Sequence, residues 1–143
     1  MKRIERSAIV PHGADQVYAL VADIESYPRF LPWCAGAQVR RGAEGVTATL
    51  QVGVKGLQQS FTTRNENKPG EAIDMHLVEG PFRRFAAAWR FKPLGPRACN
   101  IEFFMEYEFS SRAAGSLLEG LFAKMADTMV DAFSRRADEI YKG

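Results

Sequence analysis

The sequence predicts an α+β domain: a curved antiparallel sheet of roughly six to seven strands, its one apolar face covered by a long C-terminal helix. Three observations predict it. From about Ala37 to Ser110 polar and apolar residues alternate with period two, and turn residues interrupt them too often for the crossovers that parallel strands need. From about Arg112 to Lys142 apolar residues recur every three or four positions. The 143 residues suffice to close one good core and not two, so a single domain spans 1–143.

Lys2 to Val10 alternates charged and apolar residues, as a strand exposed on one face does, and Pro11-His12-Gly13 breaks it. Over Ala14 to Asp23 and into Ile24, Val17, Leu20, Val21 and Ile24 fall at helical spacing and predict a short amphipathic helix. Tyr27-Pro28 and Leu31-Pro32 are expected to stop further regular helix, because proline lacks an N–H and restricts the residue before it. Between them Phe30, Leu31 and Trp33 form an apolar knot on irregular backbone. Next, Val46, Ala48, Leu50, Val52 and Val54 share one side of a strand, with Thr47, Thr49, Gln51 and Lys55 on the other. Gly42 to Gly45 and Lys55-Gly56 supply its turns.

Strands over Leu57 to Asn65 and Ala72 to Val78 flank the turn residues Asn67-Lys68-Pro69-Gly70. Arg84 to Phe91 follows the Gly80-Pro81 break, and Ala98 to Phe109 follows Leu94-Gly95-Pro96. In that last strand Cys99, Ile101, Phe103, Met105, Tyr107 and Phe109 face one way, and Asn100, Glu102, Glu106 and Glu108 the other, with Phe104 the exception. The terminal helix carries Leu117, Leu118, Leu121, Phe122, Met125, Met129, Phe133 and Ile140 on one side, and Lys124, Asp127, Asp131 and Arg135 on the other. Its length of about 45 Å is enough to cross the whole concave face of a curved sheet.

Nineteen Lys and Arg against seventeen Asp and Glu leave a net charge of +2, too slight to argue for a polyanionic partner such as DNA, which usually requires a clustered basic face. Cys34 and Cys99 form no CxxC and have no His at ligand spacing, which excludes a zinc or thioredoxin-type motif; free thiols are favoured over one disulfide. No apolar run approaches the roughly 18–20 residues of a membrane span. The N-terminus has no apolar core of a signal peptide, so a cytoplasmic location is expected. His12 and His76 are expected to face solvent. Asp74 and His76 share a strand face without an identifiable nucleophile, so they make no triad. With no catalytic residue or metal site to name, a binding protein is expected rather than an enzyme.

Several pieces stand in a telling order and spacing: Tyr27-Pro28-Arg29-Phe30-Leu31-Pro32-Trp33-Cys34, Glu79-Gly80-Pro81-Phe82, Trp89-Arg90-Phe91, Tyr107-Glu108-Phe109, and Ala132-Phe133 with Arg136-Ala137. Together they resemble the bacterial and mitochondrial coenzyme Q-binding START-like proteins, known in bacteria as RatA-type ribosome association toxins. The wider superfamily includes birch-pollen-allergen-like proteins and polyketide cyclases. The resemblance covers essentially the whole chain and implies the helix-grip fold. It implies ubiquinone or a similar lipid bound between sheet and helix in support of respiration, with no other cofactor required. For the toxin-named members it implies binding to the large ribosomal subunit and a block of subunit joining. A cyclase or aromatase activity is the third reading, and it would need several polar side chains aimed inward.

The candidate ligand-binding residues are Phe30, Leu31, Trp33, Phe61, Met75, Leu77, Phe82, Phe85, Trp89, Phe91, Phe103, Met105, Tyr107, Leu121 and Met125. The pattern alone leaves open whether the inward rings fill a core or line a cavity; the ligand reading expects a cavity of roughly 300–1,000 Å³. Tyr107 is its best polar handle, meeting either a quinone carbonyl or a backbone carbonyl. Glu79 is read as a solvated turn residue or a partner of Arg83 or Arg84, against a ligand-binding carboxylate at the cavity edge. Phe30, Leu31 and Phe82 are expected at a membrane-touching rim peripheral to the inner membrane, the alternative being an inward plug formed by Phe30, Leu31 and Trp33. Ribosome binding would use an exposed basic surface, for which Arg40, Arg41, Arg64, Arg83 and Arg84 are the candidates.

Overall fold

The computed structural model describes residues 2–43, 45–54 and 56–141. Strand β1 (Lys2–Val10) leads through Pro11-His12-Gly13 into helix α1 (Ala14–Ala22) and a 3-10 helix (Ile24–Arg29). Strands β2 (Cys34–Gly42), β3 (Gly45–Val54), β4 (Leu57–Lys68), β5 (Ala72–Glu79), β6 (Phe82–Gly95) and β7 (Ala98–Phe109) follow, and helix α2 (Arg112–Ile140) closes the chain. The strands form one seven-stranded antiparallel sheet in the order β1-β7-β6-β5-β4-β3-β2. The meander from β2 to β7 is the one that the short turns predict. The pairing of β1 with β7, from Lys2 opposite Tyr107 to Val10 opposite Cys99, joins the two ends of the strand run.

Local chemistry sets the breaks. Lys68 to Glu71 is a type II turn: the Glu71 N–H donates to the Lys68 carbonyl at 2.9 Å, Pro69 takes the second position, and Gly70 has the positive φ (73°) of the third. At the start of α2 the Ser111 hydroxyl accepts from the Ala114 N–H at 3.0 Å, capping a donor that the helix leaves open. Helix α1 ends at Ala22, and after Asp23 a separate 3-10 segment begins; contrary to expectation Pro28 lies inside that segment, while no helix continues past Arg29. The proline is tolerated because the segment's bonds run from Ser26 to Asp23 and from Phe30 and Leu31 to Tyr27, none of which needs an N–H at Pro28. Strand β6 runs on past Phe91 to Gly95, with Pro93 beside a register shift, where a missing ladder donor does little harm. The expected places of Lys55 in the β3–β4 turn, Glu44 in the β2–β3 turn and Lys142 at the helix end lie outside the described residues, as does the side chain of Val54.

The inner face of the sheet carries the core. In β7 Cys99, Ile101, Phe103, Met105 and Tyr107 are all buried, and the intervening residues are half-exposed. Helix α2 sets Leu118, Leu121, Phe122, Met125, Met129 and Phe133 against that face and packs on β1, β7 and α1. Its far end is fastened to the β1–α1 corner. His12, expected in solvent, is buried there with its Nε2 at 2.7 Å from Asp138, and the Tyr141 hydroxyl donates to the Gln16 carbonyl at 3.1 Å. The turn that looked like a surface break in sequence is covered by the end of a helix 126 residues away. His76 stands where expected, exposed on the outer face at 3.6 Å from Glu66. Cys34 and Cys99 are free, buried thiols, and burial pushes both above their ordinary pKa.

Candidate functional site

Between the sheet and α2 lies an apolar cavity. Strands β3 to β7 supply its floor, Met125 and Met129 its roof, and Val21, Ile24 and Tyr27 its end wall. Of the candidate residues, Phe61, Met75, Phe85, Trp89, Phe103, Met105 and Met125 border it. Its volume is about 50 Å³, so the expected 300 Å³ or more is not present. The physical reason is interdigitation: the aromatic rings and the methionines, which adapt to irregular space, close over most of the room between helix and sheet.

The other candidates sit elsewhere. Phe82 packs at 5.0–5.3 Å from Phe85, Phe109 and Phe122, in an aromatic cluster that also holds Tyr107, and Leu121 is buried on α2 beside Phe122 in the chain. Phe91 does not border the cavity; it stacks on Trp89 at 6.1 Å and makes a T-shaped contact with Tyr18. Leu77 is half-buried against Gly80. Leu31 and Trp33 are 1% and 2% exposed, and the Phe30 ring packs on Phe133 at 5.2 Å beneath the Arg136 guanidinium. With Leu31 and Phe82 buried, the expected membrane rim is not there. The segment forms the inward plug instead, because its rings gain more contact against α2 than they would in water. Tyr107 points away from the cavity, its hydroxyl at 3.4 Å from Glu119 of α2; burial and that carboxylate push its pKa well up. Glu79 is exposed opposite Thr62 at the sheet surface.

Several lining residues stand outside the candidate set, among them Val21, Ile24, Tyr27 and the polar pair Thr63 and Asn65. Thr63 and Asn65 face inward from β4 at 5% and 2% exposure, and the Thr63 hydroxyl donates to Asn65 Oδ1 at 2.8 Å. Their parity with Phe61 was a usable signal, masked by their polarity. A bulge beside them, where Thr62 faces Glu79 but Thr63 faces Leu77, leaves Val78 as the extra residue and shifts the register at this point.

On the outer face, cross-strand neighbours Arg40, Thr47 and Arg64 line a groove of about 260 Å³ together with Arg41. Arg41 pairs with Glu25 at 3.3 Å. Arg83 and Arg84 lie apart from it at the start of β6, with Arg83 3.8 Å from Glu108.

Residues 10–134 match the family model described as polyketide cyclase / dehydrase and lipid transport. Along 99% of its length the chain is 41% identical to the ribosome association toxin RatA of Escherichia coli K12, covering 90% of that protein. The chain belongs to this family, in its RatA group. The Pseudomonas aeruginosa RatA is 42% identical, with 96% of each chain covered. The mitochondrial coenzyme Q-binding protein COQ10 homolog B of Xenopus laevis is 31% identical, covering 98% of this chain and 60% of that one. Among solved structures, the 18 kDa protein CC1736 of Caulobacter crescentus superposes with a TM-score of 0.77 at 32% identity, both chains fully covered. The Zhui aromatase/cyclase of Streptomyces superposes with a TM-score of 0.86 at 18% identity over 99% and 96% of the chains, which shows the shared helix-grip fold. No described helix is long and apolar enough to cross a membrane.

Proposed function

We propose that the chain binds a hydrophobic ligand of the polyisoprenoid quinone class between sheet and α2 and serves respiration as a lipid chaperone. The observation that carries this reading is the apolar space under α2, ringed by methionines and aromatic side chains and holding one buried polar pair, Thr63 and Asn65. The likeness to a coenzyme Q-binding protein supports it. The lining offers no acid–base pair and no nucleophile beside a base, which favours binding over catalysis. Because the free cavity is small, loading must push Met125 and Met129 aside, a change that unbranched thioethers accommodate easily. The test is native mass spectrometry, with lipid extraction, of protein purified from its own host. A co-purifying quinone is expected; recovery of apo-protein alone from quinone-replete cells would overturn the reading.

A second reading has its own observation. The Arg40, Arg41 and Arg64 groove has the charge and shape to take a phosphate backbone, and the relatives at 41–42% identity are named for ribosome association. On this reading the outer face docks on the large ribosomal subunit. Co-sedimentation of the chain with large subunits should be lost in the Arg40→Glu, Arg64→Glu double variant. Retained binding by that folded variant would exclude the groove.

A further inference from the structure

We infer that Asn65, held by Thr63, is the residue that recognises the polar head of the cavity's ligand, and that this head must present a hydrogen-bond acceptor such as a carbonyl. The inference rests on the cavity-binding reading above and adds what the ligand must carry and which residue reads it. An asparagine amide has one carbonyl oxygen and two N–H donors. The Thr63 hydroxyl takes up the oxygen at 2.8 Å, and no other partner of this side chain is found among the described residues. The amide nitrogen therefore turns its donors to the cavity that Asn65 borders, where Met75 of β5 stands directly opposite in register and the surrounding walls are apolar.

Among the described residues the buried side-chain donor without a partner is Trp33 Nε1, which does not border the cavity. The Asn65 amide does border it, so a ligand that fills the space without offering an acceptor would leave that amide's donors unpaired, at a cost. The polar groups nearest in kind are already committed. Tyr27 also borders the cavity, but its hydroxyl donates to the Val21 carbonyl. Tyr107 points to Glu119 on α2. Thr63 donates to Asn65, which fixes the amide's orientation as well as its place. Asn65 thus turns its amide donors to the cavity, and an apolar molecule without an acceptor would leave them unpaired. This makes the site selective for a ketone, quinone or ester head over a hydrocarbon of the same shape, a discrimination that a purely apolar wall cannot make.

Duroquinone and durene test this, since they share a tetramethyl ring and differ in the two carbonyls. Each is titrated into isotope-labelled protein while the Asn65 side-chain amide signal is followed by NMR. Wild type should bind duroquinone about tenfold more tightly than durene, a difference of about 1.4 kcal/mol, with the amide signal moving only for the quinone. Asn65→Leu should bring the two affinities together by weakening the quinone alone, and Thr63→Val should do so in part. Equal binding of both compounds by wild type, or an unmoved amide signal on saturation, would overturn the inference and leave the apolar cavity reading standing. Uptake of neither compound would sink both. The wild-type comparison needs no variant, so it decides even where Asn65→Leu fails to fold.

Discussion

The Tyr27 hydroxyl donates to the Val21 carbonyl in full burial, and loss of water pushes its pKa far above the ordinary value of 10.0. Tyr107 is shifted in the same direction by burial and by the Glu119 carboxylate. Below about pH 10 both the folded and the unfolded chain keep these phenols protonated, so they add no pH dependence. Above it the unfolded chain releases protons that the folded chain retains, and stability falls as pH rises. The urea midpoint should therefore drop as pH is raised above about 10. Tyr27→Phe should cost about 1 kcal/mol near neutrality, from the lost hydrogen bond, and should make the alkaline fall shallower. A midpoint in the variant that tracks wild type at every pH would show that Tyr27 ionises freely in the folded chain. The residue scale was partly legible: an inward tyrosine demands a partner, but which carbonyl or carboxylate supplies it depends on elements brought close only by folding.

Helix α2 is an element held along its length by different means. Apolar residues bury its face, Lys2–Glu119 (3.3 Å) and Arg6–Asp127 tie its flank to β1, and His12–Asp138 with Tyr141–Gln16 fastens its end. The flank pairs are largely exposed and contribute little. The end fastening involves a buried ring, so its loss removes the contact with Asp138 and opens the corner beneath Tyr141. His12→Ala should lower stability by about 1–2 kcal/mol and raise hydrogen exchange in the last two turns of α2, with the sheet unaffected. Unchanged exchange there would mean that apolar packing alone holds the helix end. The stripe of α2 is written at three- and four-residue spacing and was plain in the sequence; its attachment to His12 was not, because one histidine in a Pro-His-Gly turn has no periodicity to read.

At the scale of the whole molecule, the sheet and α2 close on each other until a space of about 50 Å³ remains. A ligand must do work against that packing, so stability and binding oppose each other here. Met125→Ala removes a buried side chain from the roof of the cavity. It should destabilise the free protein by about 2–5 kcal/mol, as large-to-small core changes do. The same variant should bind duroquinone more tightly than wild type, since the room is already open. A thermal melt with and without duroquinone checks both: a lower melting point alone, and a larger ligand-induced rise than wild type shows. Weaker binding by the folded variant would mean that Met125 contacts the ligand rather than obstructing it.

What the sequence determined by itself is the direction of side chains. Period two along β7 put Phe103, Met105 and Tyr107 on one face, and the stripe of α2 put Met125 and Phe133 on another; both are buried as expected. Such periodicities come from backbone geometry and so are local. The tertiary structure alone decided how the two faces fill the volume between them. It separated Phe61, Phe85 and Trp89, which border the cavity, from Phe82, Phe91 and Tyr107, which share their inward parity and pack elsewhere. It folded Leu31 and Trp33 into a plug, covered His12 with Asp138, and set Thr63 against Asn65. The reason is that parity names a face of one strand, whereas a cavity is the room left over when several distant segments meet. No single stretch of chain carries that quantity.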